Sequence, residues 1–425
     1  MKVVIMAGGK GTRISSIASD IPKPMIQIEG KPVLLREIEC LRDQGFKDII
    51  LTVSHLGNII MDYFGDGSKF GVNIEYYFEK EPLGNAGALF KIKDKLSDEF
   101  LLLNADALFD IDFNRFIKYH HQKGGLVTLF THPNSHPYDS GLIIADNDLS
   151  VKKWLSKEDV RPTYYKNRVN AGLHVINKKV LDIEINTPKV DLDRQILKPL
   201  QGTHKMFVYD SPEYVKDMGT PERYYQVSLD CKNNLPSIRN LSHKQKAIFL
   251  DRDGTINKLK GFLTDINEFE LIEGVSEAIK LINVSQYLCI IITNQPVIAR
   301  GEVSIEELNE IHNKMETLLG LDGAYINDIF YCPHHPDKGF IGERVEYKIE
   351  CNCRKPKPGM LLEASKKYNI DLANSWMIGD SKNDILCGMN AHCKTALITE
   401  LEETYGEQIK GKNLFEIVKK ILGEN

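Results

Sequence analysis

No stretch of this 425-residue sequence approaches the roughly 20 consecutive apolar residues that a membrane-spanning helix needs. The apolar start, Met1-Lys2-Val3-Val4-Ile5-Met6-Ala7, is far shorter than the core of a secretory signal. Both absences lead us to expect a cytoplasmic protein. A surplus of basic charge is missing too. The formal net charge is −5, and Lys is mixed with Glu along the chain, which argues against a nucleic-acid or anionic-membrane partner. Any phosphate must therefore be held by local geometry and not by bulk charge. Internal repeats and low-complexity tracts are also lacking. Cysteine is sparse, with eight residues, but Cys332, Cys351 and Cys353 stand close together. In a reducing compartment that cluster suggests metal binding before disulfides.

What is present fits an ordinary globular enzyme. Hydrophobic residues make up 42% and charged residues 27% of the chain, enough apolar material for large cores, and the length predicts two domains. Short β-rich runs alternate with longer amphipathic segments, the pattern of an α/β protein whose parallel sheet is flanked by helices. Candidate strands are 2–7, 48–54, 73–78, 100–104 and 126–131. Within 32–44, Val33, Leu34, Ile38 and Leu41 recur at helical spacing between an early Pro32 and a following Gly45. Periodicity fades and turn-forming residues gather in Lys-Asn-Asn-Leu-Pro and Ser-Ile-Arg-Asn. We therefore expect domains at 1–228 and 246–425, joined by a linker at 229–245. Beyond it, strands at 246–250, 288–293, 326–331, 375–378 and 395–398 are separated by helices such as 304–319 and 359–368.

Immediately after the first candidate strand comes Gly8-Gly9-Lys10-Gly11-Thr12-Arg13. Missing side chains there let backbone N–H groups close on phosphate oxygens, and Arg13 can add a charge-assisted fork. Alone, such a turn is as readily structural as phosphate-binding. Pro22-Lys23-Pro24-Met25 then stiffens the backbone around a lysine whose compact charge suits phosphate. A second glycine-punctuated loop, Glu79 to Gly87, opens a helix, and Leu101-Leu102-Leu103-Asn104-Ala105-Asp106 ends a buried strand in a carboxylate. Ligands of open α/β sheets sit beyond the carboxyl ends of the strands. Asp106 is therefore placed to hold Mg²⁺, as is Asp217 in Lys216-Asp217-Met218-Gly219-Thr220-Pro221.

This order of motifs resembles the sugar-1-phosphate nucleotidyltransferases from residue 1 to about 228. The resemblance implies a Rossmann-like, GT-A-like fold in which a sugar 1-phosphate attacks the α-phosphorus of a nucleoside triphosphate. It assigns Gly8, Gly9, Gly11, Thr12 and Arg13 to the triphosphate, Lys23 to phosphate, Gly84 and Gly87 to the border of the base, and Asp106 and Asp217 to Mg²⁺. Asn170 and Gly172 match the sugar-side segment. Ala105 departs from the family, where glycine is common before the metal aspartate.

In the second half, Ile248-Phe249-Leu250-Asp251-Arg252-Asp253-Gly254-Thr255 is a buried strand ending in two aspartates. One can attack phosphorus and the other can move the leaving group's proton, provided Mg²⁺ suppresses repulsion between the anions. Thr293-Asn294, Arg354-Lys355-Pro356 and Gly379-Asp380-Ser381-Lys382-Asn383-Asp384 follow in order. Together these resemble the haloacid-dehalogenase superfamily, which implies a Rossmannoid fold. Asp251 is then the nucleophile, Asp253 the general acid and base, and Thr293 and Lys355 the phosphoryl holders. Asp251, the Asp253 carbonyl and Asp380 bind Mg²⁺, with Asp384 in support. Asn294, Arg300 and Arg354 are candidate substrate contacts.

Cys332-Pro333-His334-His335 and Cys351-Asn352-Cys353 supply three thiols and an imidazole that could close a tetrahedral Zn²⁺ site. Either histidine could serve, and Cys-x-His spacing favours His334. These pairs resemble the zinc loop of the heptose bisphosphate and histidinol phosphate phosphatases. The N-terminal motifs look closest to the heptose and mannose 1-phosphate guanylyltransferases. The two resemblances together imply a bifunctional enzyme making GDP-D-glycero-α-D-manno-heptose for cell-surface polysaccharide from small-molecule substrates. A histidinol-phosphate phosphatase fused to a mannose-type transferase is the enzymatic rival, and a nucleotide-sugar sensor with one inactive domain is the non-enzymatic one. Elsewhere, His120-His121 reads as a solvent-facing helix end, and Trp154, Tyr164 and Tyr165 as core aromatics.

Overall fold

The computed structural model describes residues 1–9, 20–105, 107–185, 187, 189–339 and 341–423. Gly11, Thr12, Arg13 and Asp106 therefore lie outside the described residues. The chain divides into two compact units. The first comprises Met1–His132, Gly141–Glu158 and Arg168–Asn240; the second takes Pro133–Ser140, Asp159–Asn167 and Leu241–Asn425.

The first unit carries strands β1 (Lys2–Met6), β2 (Gln27–Ile28), β3 (Lys31–Pro32), β4 (Asp48–Val53), β5 (Asn73–Phe78), β6 (Glu99–Asn104) and β7 (Ala107–Asp110). They are followed by β8 (Val127–His132), β9 (Leu142–Ala145), β10 (Val151–Leu155), β11 (Val169–Asn177), β12 (Met206–Asp210) and β13 (Tyr214–Asp217). β1 lies between β4 and β6, parallel to both. Its Val3, Val4 and Ile5 are wholly buried, as an unbroken apolar run must be when both faces of the strand are covered. Helix Val33–Asp43 forms as its spacing required, burying Val33, Leu34, Ile38 and Leu41.

The sheet is not the all-parallel one expected. It is nine-stranded and mixed, with β11 antiparallel to both β6 and β8, and β9 and β10 antiparallel to each other. Alternation along a sequence reports strand and helix periods but not strand direction, which the connections set. Two further local expectations change. The segment 229–245 contains the end of helix Pro221–Lys232 and all of helix Leu235–Arg239. There Asn234 takes a left-handed φ of 55° between the helices, and Pro236 is tolerated in a first turn. His120 is buried, not solvent-facing, with its Nδ1 2.8 Å from Thr128 Oγ1. Trp154 and Tyr165 are core residues, as anticipated.

In the second unit, β14 (Lys246–Leu250), β15 (Tyr287–Asn294), β16 (Asp328–Cys332), β17 (Trp376–Gly379), β18 (Lys394–Ile398) and β19 (Ile409–Gly411) form one sheet. Its order is β16-β15-β14-β17-β18-β19, and every pairing is parallel. The central β14 is buried from Ala247 to Leu250. Helix Ile305–Leu321 starts in a full capping box between Ser304 and Glu307.

Buried His174 on β11 makes the first unit sensitive to acid. Burial holds its pKa down at about 4, against roughly 6.5 for an unfolded histidine. The unfolded chain therefore binds more protons between those values, so the stabilisation is full above about pH 6.5 and is lost as pH falls toward 4. Urea titrations at pH 7 and pH 5 are expected to show a loss of about 2 kcal/mol. A His174→Gln variant should flatten that dependence.

Candidate active sites

At the carboxyl ends of β1, β4, β5 and β6 lies a cavity of about 930 Å³, lined by Gly8, Gly9, Lys23, Ser54, Glu79, Gly84, Asn85, Asn104 and Gly219, among others. Gly8 brings its backbone against β4, where Ser54 Oγ donates to Gly8 O at 2.7 Å. Lys23 sits in a short 3₁₀ turn set by its flanking prolines, is only 9% exposed, and lines the cavity. Gly84 is required at its position. Its φ is +81°, and a Cβ there would run into the Val190 carbonyl. That close approach lets Ala86 N donate to Val190 O at 3.0 Å and Leu192 N to Asn85 Oδ1 at 2.7 Å, fixing the loop that leads into the cavity.

Several expected residues are not among those lining this cavity. Gly87 is buried in the first turn of helix Gly87–Lys91. Gly172, at φ +75°, packs against the Asn104 side chain, and Asn170 Oδ1 accepts from Gly172 N at 3.3 Å. Asp217 ends β13 opposite Ala107, the residue following Asp106. Gly219 N donates to its carboxylate at 2.8 Å, and Arg223 reaches it at 3.0 Å. β13 is clamped from helix Pro221–Lys232 by buried Asp230, which accepts from Tyr214 Oη and Lys216 Nζ at 2.7 Å each. Sequence reasoning passed over Glu79, a half-buried carboxylate on the cavity wall whose pKa burial raises. Its position immediately after β5 was the available signal.

The second site forms where β15, β14 and β17 end side by side. Asp251 follows β14, Thr293 and Asn294 close β15, and Asp380 follows β17. Lys355 is buried between two carboxylates, 2.8 Å from Asp251 Oδ1 and 2.6 Å from Asp384 Oδ1. The other Asp384 oxygen accepts from Ser381 N at 3.1 Å and Ser381 Oγ at 2.5 Å, so Asp384 supports the lysine. Oxygens of Asp251, Asp380 and Asp384 all lie within 4.8 Å of one another. Burial, then the Asp384 charge, pushes Asp251 up to about 8 and Asp380 to about 6. Burial opposes the charge on Lys355, yet Asp251 and Asp384 outweigh it and raise its pKa. Three carboxylates facing a single buried lysine leave an excess of negative charge, which fits a divalent cation.

Asn294 serves Lys355: its Oδ1 accepts from Lys355 N at 3.0 Å and its Nδ2 donates to Lys355 O at 3.1 Å. Arg300 is tied to Glu302 at 2.8 Å and stacks on Phe262 at 4.4 Å, while Arg354 donates to His334 O at 3.3 Å. Sequence reasoning missed the groups around Asp253. Asn257 Nδ2 donates to it at 3.0 Å, Gln295 Nε2 at 2.9 Å, and buried Arg252 forks onto both of its oxygens at 2.9 Å. Arg252 and Gln295 adjoin the motifs in sequence and were within reach.

Cys332, His334, Cys351 and Cys353 converge. Their sulfurs are 3.2–3.5 Å apart, and His334 Nδ1 is 3.3 Å from Cys353 Sγ. A tetrahedral zinc with ~2.3 Å bonds to sulfur would set them about 3.8 Å apart, so the donor set fits that ion with little adjustment. His335 faces elsewhere, its Nδ1 accepting from Asp337 N at 3.2 Å. Cys353 lies two residues before Lys355.

These two arrangements define phosphoryl-transfer chemistry on α/β scaffolds, one cavity built from backbone loops and one from paired aspartates. Comparison with known families agrees: the Nucleotidyl transferase family matches residues 2–234 and the HAD-hydrolase-like family residues 352–411. A D-glycero-beta-D-manno-heptose-1,7-bisphosphate 7-phosphatase of Pasteurella multocida is 42% identical over 157 residues, covering 37% of this chain and 82% of the relative. A probable mannose-1-phosphate guanylyltransferase 1 of Oryza sativa is 29% identical over 53% of this chain. The match spans 63% of that relative's length. The crystal structure of HddC from Yersinia pseudotuberculosis aligns over 54% of this chain and 99% of its own, at 28% identity and a TM-score of 0.48. The chain belongs to the nucleotidyl transferase family through its first half and, through its second, to the HAD-type phosphatases that include the Pasteurella enzyme. It joins a nucleotidyltransferase and a phosphatase in one polypeptide.

Gly254 has φ +79°, and a Cβ there would overlap the Asp380 carboxylate. Gly254→Ala should therefore destabilise the second unit by more than about 1 kcal/mol in thermal unfolding and lower phosphatase turnover. Replacing Cys351 and Cys353 together by serine is expected to abolish bound zinc by elemental analysis and to cut phosphatase activity at least about tenfold. Nucleotidyl transfer should be spared; equal loss of both activities would separate the metal loop from Lys355.

Proposed function

We propose that this chain removes the 7-phosphate of D-glycero-D-manno-heptose 1,7-bisphosphate at its second site and then loads a nucleotide onto the resulting heptose 1-phosphate at its first. The observation that carries this reading is the union of two halves in one chain. One half is kin to a 7-phosphatase, which by its name leaves the 1-phosphate in place. The other belongs to a family whose chemistry consumes a sugar 1-phosphate. Asp251 attacks the 7-phosphoryl group, which Thr293 and Lys355 hold, while Asp253 moves the proton. Asp251, Asp380 and the Asp253 carbonyl would hold a Mg²⁺ ion, which would supply neutralisation of phosphoryl charge, and Cys332, His334, Cys351 and Cys353 would hold a structural Zn²⁺ that would order the loop ahead of Lys355.

In the first unit, Gly8, Gly9, Gly11, Thr12 and Arg13 hold the triphosphate, Lys23 contacts phosphate, and Asp106 and Asp217 carry Mg²⁺. Asn170 and Gly172 border the sugar. The nucleotide is GTP in this reading, and Glu79 supports it. A carboxylate on the cavity wall accepts two hydrogen bonds at once from guanine N1–H and N2–H, a pair of adjacent donors that adenine, uracil and thymine do not present. The partners are small molecules found in the cytoplasm, where we place the enzyme.

Incubating the full chain with the heptose bisphosphate, Mg²⁺ and GTP should release phosphate and pyrophosphate and form GDP-heptose. Cleavage of histidinol phosphate with the heptose bisphosphate left intact would overturn the reading. Glu79→Gln should cut kcat/KM for GTP by about tenfold or more, because one acceptor becomes a donor, without moving the unfolding midpoint.

A further inference from the structure

We propose that Arg252, held by His312, is the positioning residue that aims Asp253, and that Asp253 Oδ2 is the atom that gives and takes the proton in phosphate-ester cleavage. The inference rests on the phosphatase reading above and adds to it how the acid is oriented.

Arg252 stands between two aspartates in sequence, yet its side chain is fully buried. Its guanidinium reaches Asp253 Oδ1 through Nε at 3.2 Å and both Asp253 oxygens through one terminal nitrogen at 2.9 Å. The remaining terminal nitrogen meets His312 Nε2 at 3.3 Å. His312 comes from helix Ile305–Leu321, in a region with no phosphatase motif, and is itself buried. Burial, then the charges of Arg252 and Lys166, hold its pKa well below the usual value. The ring is neutral, and Nε2 can accept from the guanidinium. This contact fixes the plane of the guanidinium, and the fork then fixes the Asp253 carboxylate.

The two carboxylate oxygens are not equivalent. Oδ1 faces three donor atoms: Arg252 Nε, the forked Arg252 nitrogen, and Asn257 Nδ2 at 3.0 Å. Oδ2 faces two, and one is the neutral amide of Gln295 at 2.9 Å. That same amide nitrogen lies 2.9 Å from Thr293 Oγ1, so Oδ2 is the oxygen on the phosphoryl side. A neutral amide bond is weaker than a guanidinium bond, and Oδ2 can exchange it for a proton while Oδ1 stays clamped.

In the first step an Asp251 oxygen bonds to phosphorus as the phosphorus–oxygen bond to the sugar breaks. The proton on Asp253 Oδ2 passes to the departing sugar oxygen, giving an alcohol, an aspartyl phosphate and the Asp253 carboxylate. In the second, water attacks the aspartyl phosphate, its proton passes to Oδ2, and inorganic phosphate leaves with the Asp251 carboxylate restored. A p-nitrophenyl ester departs as a stable phenolate and does not need the first proton.

The test compares kcat/KM for heptose bisphosphate and p-nitrophenyl phosphate in the full-length protein. His312→Leu is expected to lower the value for the sugar ester at least about tenfold and that for the aryl ester less than about threefold. His312→Gln, whose amide oxygen can replace Nε2 as acceptor, should recover most of the loss. Equal losses on both esters, or a Gln variant as impaired as Leu, would overturn the proposal. Should His312→Leu fail to fold in thermal unfolding, Arg252→Lys, which keeps the charge and loses the fork, is read by the same two esters. An unsubstituted protein that cleaves neither ester would sink the phosphatase reading itself, an outcome distinct from a variant that loses both equally.

Discussion

The second unit is organised around one buried cation. Lys355 touches Asp251, just past buried β14, and Asp384, in the first turn of helix Lys382–Asn390, at 2.8 and 2.6 Å, where little water can screen the charges. Removing one member of such a pair leaves an uncompensated buried charge, typically costing about 3–5 kcal/mol. The neighbouring structure serves this contact. Asn294 grips the lysine backbone on both sides, and Ser381 occupies the far oxygen of Asp384. The cysteine cluster anchors the chain two residues upstream. The lysine is the counter-charge for both carboxylates, so the stability of this unit and the geometry of its candidate site are bound together.

The candidate site of the first unit is built differently. Its cavity wall is mostly backbone and small side chains, and its precision comes from supports placed behind it. Val190 stands against Gly84, Asn104 against Gly172, and Asp230 draws β13 onto helix Pro221–Lys232. Each support is an ordinary hydrogen bond or a close backbone approach. Such a wall needs only a few charged side chains, Lys23 among them, which is consistent with a chain whose net charge is −5.

The chemistry of the two units is complementary. Hydrolysis of one phosphate ester on a bisphosphate sugar leaves the other intact, and nucleotidyl transfer requires a free sugar 1-phosphate. Both steps depend on carboxylates near phosphate, but they distribute the work differently. In the reading proposed above, the phosphatase half works through a covalent intermediate and an oriented acid. The transferase half has only to align an attacking oxygen with a leaving pyrophosphate.

Much of this was legible in the sequence. Strand periods located β1, β4, β5 and β14 to within a residue, because buried strands between helices must be apolar and short. The Asp251–Asp253 pair, Lys355 and the cysteine cluster were visible because their spacing along the chain is what their chemistry requires. Strand direction was not legible, so the mixed sheet around β11 was missed. The helices within 229–245 and the burial of His120 were hidden for a similar reason: neighbours distant in sequence decide them. The roles of Asn294 and His312 belong to that second class as well. Asn294, a candidate substrate contact by sequence, also holds a backbone 61 residues away, and His312 meets Arg252 across 60 residues. Local sequence determined which chemically capable residues stand at the strand ends, while long-range packing decided which side chains meet, since contacts depend on partners that no local pattern records.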